Sequence, residues 1–95
     1  MKVIWAKRAV LTRNALIDFI ADDSVLAALE VDDTITAATL RLAEFPLLGK
    51  PGRIAGTREL VAHEHYILVY EVADDILVIL MVLHTSRQWP PVETE

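Results

Sequence analysis

The pattern of apolar and polar positions along the chain changes its period near Phe45. Before that residue the apolar positions recur every three or four residues, which predicts helices over about residues 8–21 and 25–43. The acidic and hydroxyl side chains between them end the first helix and can cap the second. So short a connection predicts an antiparallel helical hairpin. The residues predicted to face inward are Leu16, Phe19 and Ile20 in the first helix and Leu29, Ile35, Ala38 and Leu42 in the second.

Beyond Phe45 the pattern predicts strands. The Phe45-Pro46 step ends the second helix, because a residue that precedes proline is displaced from the α region. A loop rich in glycine and proline follows over about residues 47–57. Three runs of β-branched and aromatic residues then predict an antiparallel meander, and VIW near the N-terminus predicts one more short strand. The predicted meander strands lie near residues 58–62, 66–71 and 76–83.

The element order β-α-α-β-β-β predicts an α+β sandwich, with the helical hairpin on one face of a four-stranded sheet and the first strand beside the meander. The 95 residues predict one domain spanning 1–95. Hydrophobic residues make up 54% of the chain, and such a surplus in a small domain predicts exposed apolar patches that bind a partner. With no cysteine the chain has neither disulfides nor thiolate metal sites. No leader pattern or membrane-length apolar run is present, so a cytoplasmic protein is expected.

Charge is distributed unevenly along the sequence. The net charge of −5 argues against binding nucleic acid through bulk charge. Acidic residues crowd the first half, whereas Lys50, Arg53 and Arg58 form a basic run without an intervening acid, and Arg87 adds a further cation. This local cluster is compatible with a phosphate-bearing substrate. The alternative is that these side chains only solvate a loop, and composition alone favours that alternative.

Five segments stand out by their wording and their order: Trp5 in the first strand, FPLLGKPGR at Phe45 to Arg53, GTREL at Gly56 to Leu60, YILVYEV at Tyr66 to Val72, and VLHTSRQWP at Val82 to Pro90. In this order they resemble the RelE/ParE superfamily, the toxins of bacterial type II toxin–antitoxin pairs. The resemblance implies the same β-α-α-β-β-β sandwich, a toxin that arrests growth as in plasmid stabilisation systems, and no cofactor. It also implies a cognate antitoxin, a protein partner that lays an extended or helical segment over exposed apolar surface.

The first function that the resemblance implies is a RelE-type endoribonuclease, which cuts mRNA on the ribosome and so inhibits translation. This metal-independent reaction drives a ribose 2′-hydroxyl onto the adjacent phosphate, and it needs a base, an acid and positive charge. Arg58, His84 and Arg87 are the candidate catalytic residues, with the arginines on the phosphate and His84 transferring a proton. The candidate substrate-binding residues are Lys50, Arg53 and Trp89, the last as a stacking platform for a base.

These residues also have structural interpretations. Arg58 could form a surface ion pair with Glu59, His84 could be a structural histidine at a strand end, and Trp89 could cap the sheet. His63 and His65 are two residues apart, so in a strand they would face the same way and could bind zinc together with His84. They fall in a presumed turn, however, so no metal site is predicted.

Met81 departs from the family pattern, since relatives commonly read ILRVLH where this chain reads ILMVLH. By strand alternation Met81 shares a face with Leu83 and lies opposite His84. The exchange deletes a charge that could bind phosphate or pair with Glu59 or Glu71. It fits either an attenuated toxin or a branch that never used this arginine, and on the endoribonuclease interpretation Met81→Arg should raise cleavage.

Two alternative functions remain open from the sequence. One is a ParE-type poison that traps DNA gyrase and has no active site of its own. The other is a detoxified family member that persists as an antitoxin-binding module. The clustered arginines and His84 favour RNA cleavage, whereas the negative net charge and Met81 favour a protein target.

Overall fold

The computed structural model describes residues 1–86 and Pro90. Its elements follow the predicted order, and the predicted α+β class is confirmed. One short strand is added in the loop that precedes the meander. The elements are β1 (Lys2–Trp5), α1 (Lys7–Asp23), α2 (Val25–Glu44), β2 (Lys50–Pro51), β3 (Arg58–His63), β4 (Tyr66–Ala73) and β5 (Ile76–His84).

The strands form one mixed sheet in the order β1-β5-β4-β3-β2. β1 lies beside the meander, as predicted, and pairs in parallel with β5. The remaining pairs are antiparallel. The predicted four strands become five because Lys50 and Pro51 pair with Glu59 and Arg58. This pairing depends on how the glycine- and proline-rich loop between the two strands turns back, so the apolar periodicity of the sequence carries no sign of it.

The helices form the predicted hairpin. The Ser24 side chain accepts a hydrogen bond from the backbone nitrogen of Ala27 at 3.1 Å and so caps α2. Arg13 joins the helices through an ion pair with Asp32, 2.8 Å from Nη2 to Oδ1, and its guanidinium lies 4.9 Å from the centre of the Trp5 ring. Within the described residues neither helix is long and apolar enough to cross a membrane.

The main core lies between the helical hairpin and one face of the sheet. Ile35, Ala38 and Leu42 are buried there as predicted. Two predicted core positions are wrong, because Phe19 is 76% exposed and Leu29 is 57% exposed. Each lies one residue out of phase with the stripe that packs on the sheet, and one residue on a helix turns a side chain by about 100°.

A β-bulge in β5 divides its apolar side chains between the two faces of the sheet. Tyr70 pairs with Ile79 but Val69 pairs with Met81, so Leu80 is the extra residue. Val69, Met81 and Leu83 consequently form a second buried cluster on the face away from the helices. The predicted shared face of Met81 and Leu83 is confirmed, and Tyr66 and Tyr70 both lie on the side of the sheet that faces the helices.

Candidate functional site

A buried tyrosine fastens the loop that follows α2. Tyr70 is fully buried, and its hydroxyl accepts a hydrogen bond from the Gly49 nitrogen at 2.9 Å and donates one to the Pro46 carbonyl at 2.8 Å. A Cβ atom on Gly49 would lie 2.7 Å from both the Glu59 carbonyl oxygen and the Tyr70 hydroxyl. Only glycine lets the loop approach the sheet this closely.

Arg58 holds the same loop from β3. Its Nη2 donates to the Gly49 carbonyl at 2.6 Å and to the Leu47 carbonyl at 3.1 Å, while Nε donates to Gly49 at 3.1 Å. The guanidinium therefore already satisfies backbone carbonyls at the position where the sequence predicts a phosphate-binding residue. The catalytic role of Arg58 stays a prediction.

Arg53 is committed to a buried carboxylate. Glu59 is 3% exposed, and it accepts hydrogen bonds from the Arg53 backbone nitrogen at 2.9 Å and from Nη2 at 3.0 Å. Burial is the largest influence on the Glu59 carboxyl and acts to raise its pKa, but the Arg53 hydrogen bonds and the charges of Arg53 and Lys50 outweigh it and hold the pKa below its ordinary value. The suggested pair between Arg58 and Glu59 is wrong, since adjacent strand residues point to opposite faces.

His84 lies in an aromatic cluster at the far end of the sheet. Its ring stacks parallel to His65 with 5.7 Å between ring centres, and the edge of Tyr66 meets it at 5.4 Å. His84 Nδ1 also contacts the Ser86 backbone nitrogen at 3.1 Å. No three histidine or acidic side chains of residues 1–86 and 90 are arranged to hold a metal ion.

The strand register separates the predicted catalytic residues. Arg58 pairs with Tyr70, and His84 pairs with Tyr66, so the two rows are four residues apart along β4. At about 3.3 Å per residue this is about 13 Å along the strand direction alone. The structure thus places Lys50 and Arg53 beside Glu59, Arg58 on the opposite face of β3, and His84 at the end of β5. Two residues of the predicted site, Arg87 and Trp89, lie outside the described residues.

Sequence reasoning missed the function of Tyr70 and Glu59 in fixing the loop. The sequence suggests Glu59 only as an ion-pair partner of an arginine, and it places Tyr70 in a strand without a polar role. A usable signal exists for Tyr70, because a buried tyrosine hydroxyl nearly always needs a hydrogen-bond partner, and a glycine-rich loop nearby offers backbone groups. No comparable signal marks Glu59, since its burial depends on the fold of the loop over it.

The predicted exposed apolar patches are present in two places. After α2, Phe45, Leu47 and Leu48 are 57%, 66% and 40% exposed. At the turn of the helical hairpin, Val25 and Leu26 are 65% and 68% exposed, beside a cavity of about 450 Å³. The residues that line this cavity are Phe19, Ile20, Asp22, Asp23, Ser24 and Ala27.

Comparison with known proteins gives the family. The family model described as the ParE toxin of the type II toxin-antitoxin system, parDE, matches residues 3–89. The chain belongs to this toxin family. The toxin is 40% identical over 92 residues to the putative toxin Y4kP of Sinorhizobium fredii, covering 96% of this chain and 95% of that protein. It is 35% identical over 86 residues to toxin RelE2 of Caulobacter vibrioides, covering 90% and 97%.

Solved structures of toxin–antitoxin systems share the toxin's fold. A chain of the chromosomal ParDE system from P. aeruginosa superposes with a TM-score of 0.76 at 19% identity, covering 88% of this chain and 95% of that chain. At that identity the likeness shows the fold alone. A chain of the RelBE2 toxin–antitoxin complex from Mycobacterium tuberculosis superposes with a TM-score of 0.57 at 28% identity, covering 87% and 95%. The predicted RelE/ParE membership is confirmed.

Proposed function

We propose that this toxin arrests growth by binding a protein target in the cytoplasm, in the manner of ParE and with DNA gyrase as the target, and that it has no active site of its own. The observation that carries the proposal is the placement of the predicted catalytic groups. Arg58 and His84 lie on β3 and β5, separated by β4 and by four residues along it, which is too far for both to act on one phosphate. In-line phosphoryl chemistry needs acid, base and cation within hydrogen-bond reach of the same reacting group.

The charges of the loop support the same conclusion. Arg53 is bound to Glu59 and Arg58 to the carbonyls of Leu47 and Gly49. Breaking these contacts to hold a phosphate would leave a buried carboxylate without its partner, which is strongly unfavourable. Within the part of the chain that the structure describes, an exposed apolar surface whose neighbouring arginines are already paired suits a binding protein better than an endoribonuclease.

The purified toxin should inhibit supercoiling by DNA gyrase, and His84→Ala should inhibit it equally, because the exposed imidazole is outside the binding interaction. Growth arrest by the wild type and by His84→Ala should also be equal. The parallel assay offers the toxin to translating ribosomes and maps mRNA ends. If the wild type cleaves mRNA and His84→Ala lowers that rate by about 10²–10⁴-fold, the toxin is a RelE-type endoribonuclease instead.

One observation favours the endoribonuclease as second candidate. His84 is exposed, stacked on His65, and borders a cavity of about 280 Å³ beside α1. An exposed imidazole is the usual acid or base near neutral pH, and aromatic rings around a cavity can hold an unstacked base. RelE2, at 35% identity, carries the name of that branch.

The proposed physiological partner is a cognate antitoxin that covers exposed apolar surface of the toxin. The family membership and the toxin–antitoxin complex among the structural relatives support it. Coexpression with the adjacent gene should give a complex that copurifies and melts at a higher temperature than the toxin alone, since a ligand specific for the folded state stabilises it. A toxin that is stable and monodisperse alone and retains no neighbour would contradict this.

A further inference from the structure

We propose that residues 45–48, here called the docking loop, are a preformed surface that binds the protein target, and that they receive an acidic segment of the target carrying a bulky apolar side chain. The inference rests on the proposed function, in which the toxin acts by binding. It adds the place of contact and the chemistry of the segment that is bound.

The docking loop exposes apolar side chains to water, and this exposure does not stabilise the toxin on its own. Phe45, Leu47 and Leu48 are 57%, 66% and 40% exposed within four consecutive residues. The Leu48 nitrogen donates to the Phe45 carbonyl at 3.1 Å, and this turn keeps the side chains together. Single exposed apolar residues are ordinary, but a contiguous group marks a site of interaction.

The docking loop is held in place by the sheet rather than by its own side chains. The Tyr70 hydroxyl binds Pro46 and Gly49, and the Arg58 guanidinium binds the Leu47 and Gly49 carbonyls. A loop fixed in this way cannot fold inward to bury its apolar side chains. It also loses little conformational entropy on binding, which favours affinity.

Charge indicates the chemistry of the bound segment. The cations Arg41 and Lys50 and the exposed acid Glu44 flank the docking loop in sequence, and the Arg58 guanidinium binds its backbone. The Arg41 carbonyl accepts from the Phe45 nitrogen at 2.7 Å, so this cation is one helical turn away. The local excess of positive charge opposes the net charge of −5 on the whole chain. Complementary charge steers association and excludes wrong partners, so the bound segment is acidic.

The other apolar patch has acidic instead of basic neighbours and provides a matched control. Val25 and Leu26, 65% and 68% exposed, lie at the hairpin turn beside Asp22 and Asp23. The double variants Phe45→Ser/Leu47→Ser and Val25→Ser/Leu26→Ser remove similar exposed apolar groups from oppositely charged surroundings. All four side chains are mostly exposed, so both variants should fold and melt close to the wild type.

The experiment compares growth arrest in cells and, separately, gyrase binding by the purified variants. We expect Phe45→Ser/Leu47→Ser to lose growth arrest and about tenfold or more in affinity for gyrase, as for central apolar contacts of an interface. The hairpin variant should behave as the wild type, and Lys50→Glu should weaken binding in a salt-dependent way. Full growth arrest by a folded Phe45→Ser/Leu47→Ser variant would overturn the docking loop.

The growth assay separates this inference from the proposed target. If the wild type arrests growth without binding gyrase, the proposed function fails. The role of the docking loop is then tested only by whether Phe45→Ser/Leu47→Ser loses growth arrest. If the wild type does not arrest growth, both fail. A second copy of the toxin could also present its acidic hairpin turn to the docking loop, and such a head-to-tail contact would build rings or open chains of the toxin. Concentration-dependent self-association that Phe45→Ser/Leu47→Ser abolishes, with growth arrest unchanged, would assign the loop to self-assembly and overturn the inference.

Discussion

Replacing Tyr70 with phenylalanine removes one oxygen atom from the protein and with it both hydrogen bonds that join β4 to the loop after α2. The ring is fully buried and stays in place, so the packing of the main core is retained. The perturbation is therefore confined to the Gly49 nitrogen and the Pro46 carbonyl, which lose their partners at 2.9 Å and 2.8 Å.

The two orphaned groups differ in what they can recover. Gly49 is buried, so its N–H group cannot exchange the lost hydrogen bond for one to water, and leaving it unsatisfied costs about 1–3 kcal/mol. Pro46 is partly exposed and its carbonyl can bind water, so only the net value of a hydrogen bond is lost there, about 1 kcal/mol. Together we expect the free energy of unfolding to fall by about 2–4 kcal/mol. For a domain of this size each kcal/mol lowers Tm by about 4–8 °C.

Urea denaturation followed by circular dichroism measures this change, with an unchanged m value showing that the native state remains compact. The matched control is Tyr66→Phe, a largely buried tyrosine of the same strand whose hydroxyl contributes no hydrogen bond within residues 1–86 and 90. It should change stability by under about 0.5 kcal/mol. Equal effects of the two exchanges would refute the claim that the Tyr70 hydroxyl fastens the loop.

Two further predictions concern the face of the sheet away from the helices. Glu59→Gln should lower the free energy of unfolding at pH 7 by about 1–3 kcal/mol. This difference from the wild type should shrink as the pH falls below the ordinary glutamate pKa of 4.5, because a carboxyl with a depressed pKa stabilises the fold only while it is ionised. Denaturation at pH 7 and pH 3 measures the difference, with the exposed Glu64→Gln as the control, and a difference that does not change with pH would contradict the prediction. Met81→Arg should destabilise the toxin by about 2 kcal/mol or more, because Met81 is 2% exposed and Glu59, in the same cross-strand row, is already paired with Arg53. The control is Val61→Arg on the same face, where the side chain is 56% exposed and the free energy of unfolding should hardly change in the same denaturation assay. A stable Met81→Arg variant with increased toxicity would instead support the interpretation that Met81 replaces a phosphate-binding arginine.

Local periodicity was sufficient for the elements and insufficient for the site. The helix and strand bounds were predicted to within about two residues, because the apolar spacing changes sharply at Phe45. What failed depends on the path of the loop between α2 and β3: β2 exists only because this loop turns back onto β3, and the same path sets the partner of Glu59. Sequence proximity to a motif placed Arg58 and His84 in one hypothetical site, but only the strand register determines which residues meet.

The parallel pairing of β1 with β5 has a consequence for the timing of synthesis. β1 leaves the ribosome before the other strands of the described sheet, yet its neighbour is β5, with Lys2 beside Ile76 and Trp5 beside Ile79. The sheet therefore cannot be completed until β5 has been translated, and contacts this distant in sequence also form slowly. A nascent or truncated chain that ends before Ile76 lacks the strand that joins β1 to β4, so the cell that makes this toxin does not meet its folded sheet until β5 has left the ribosome.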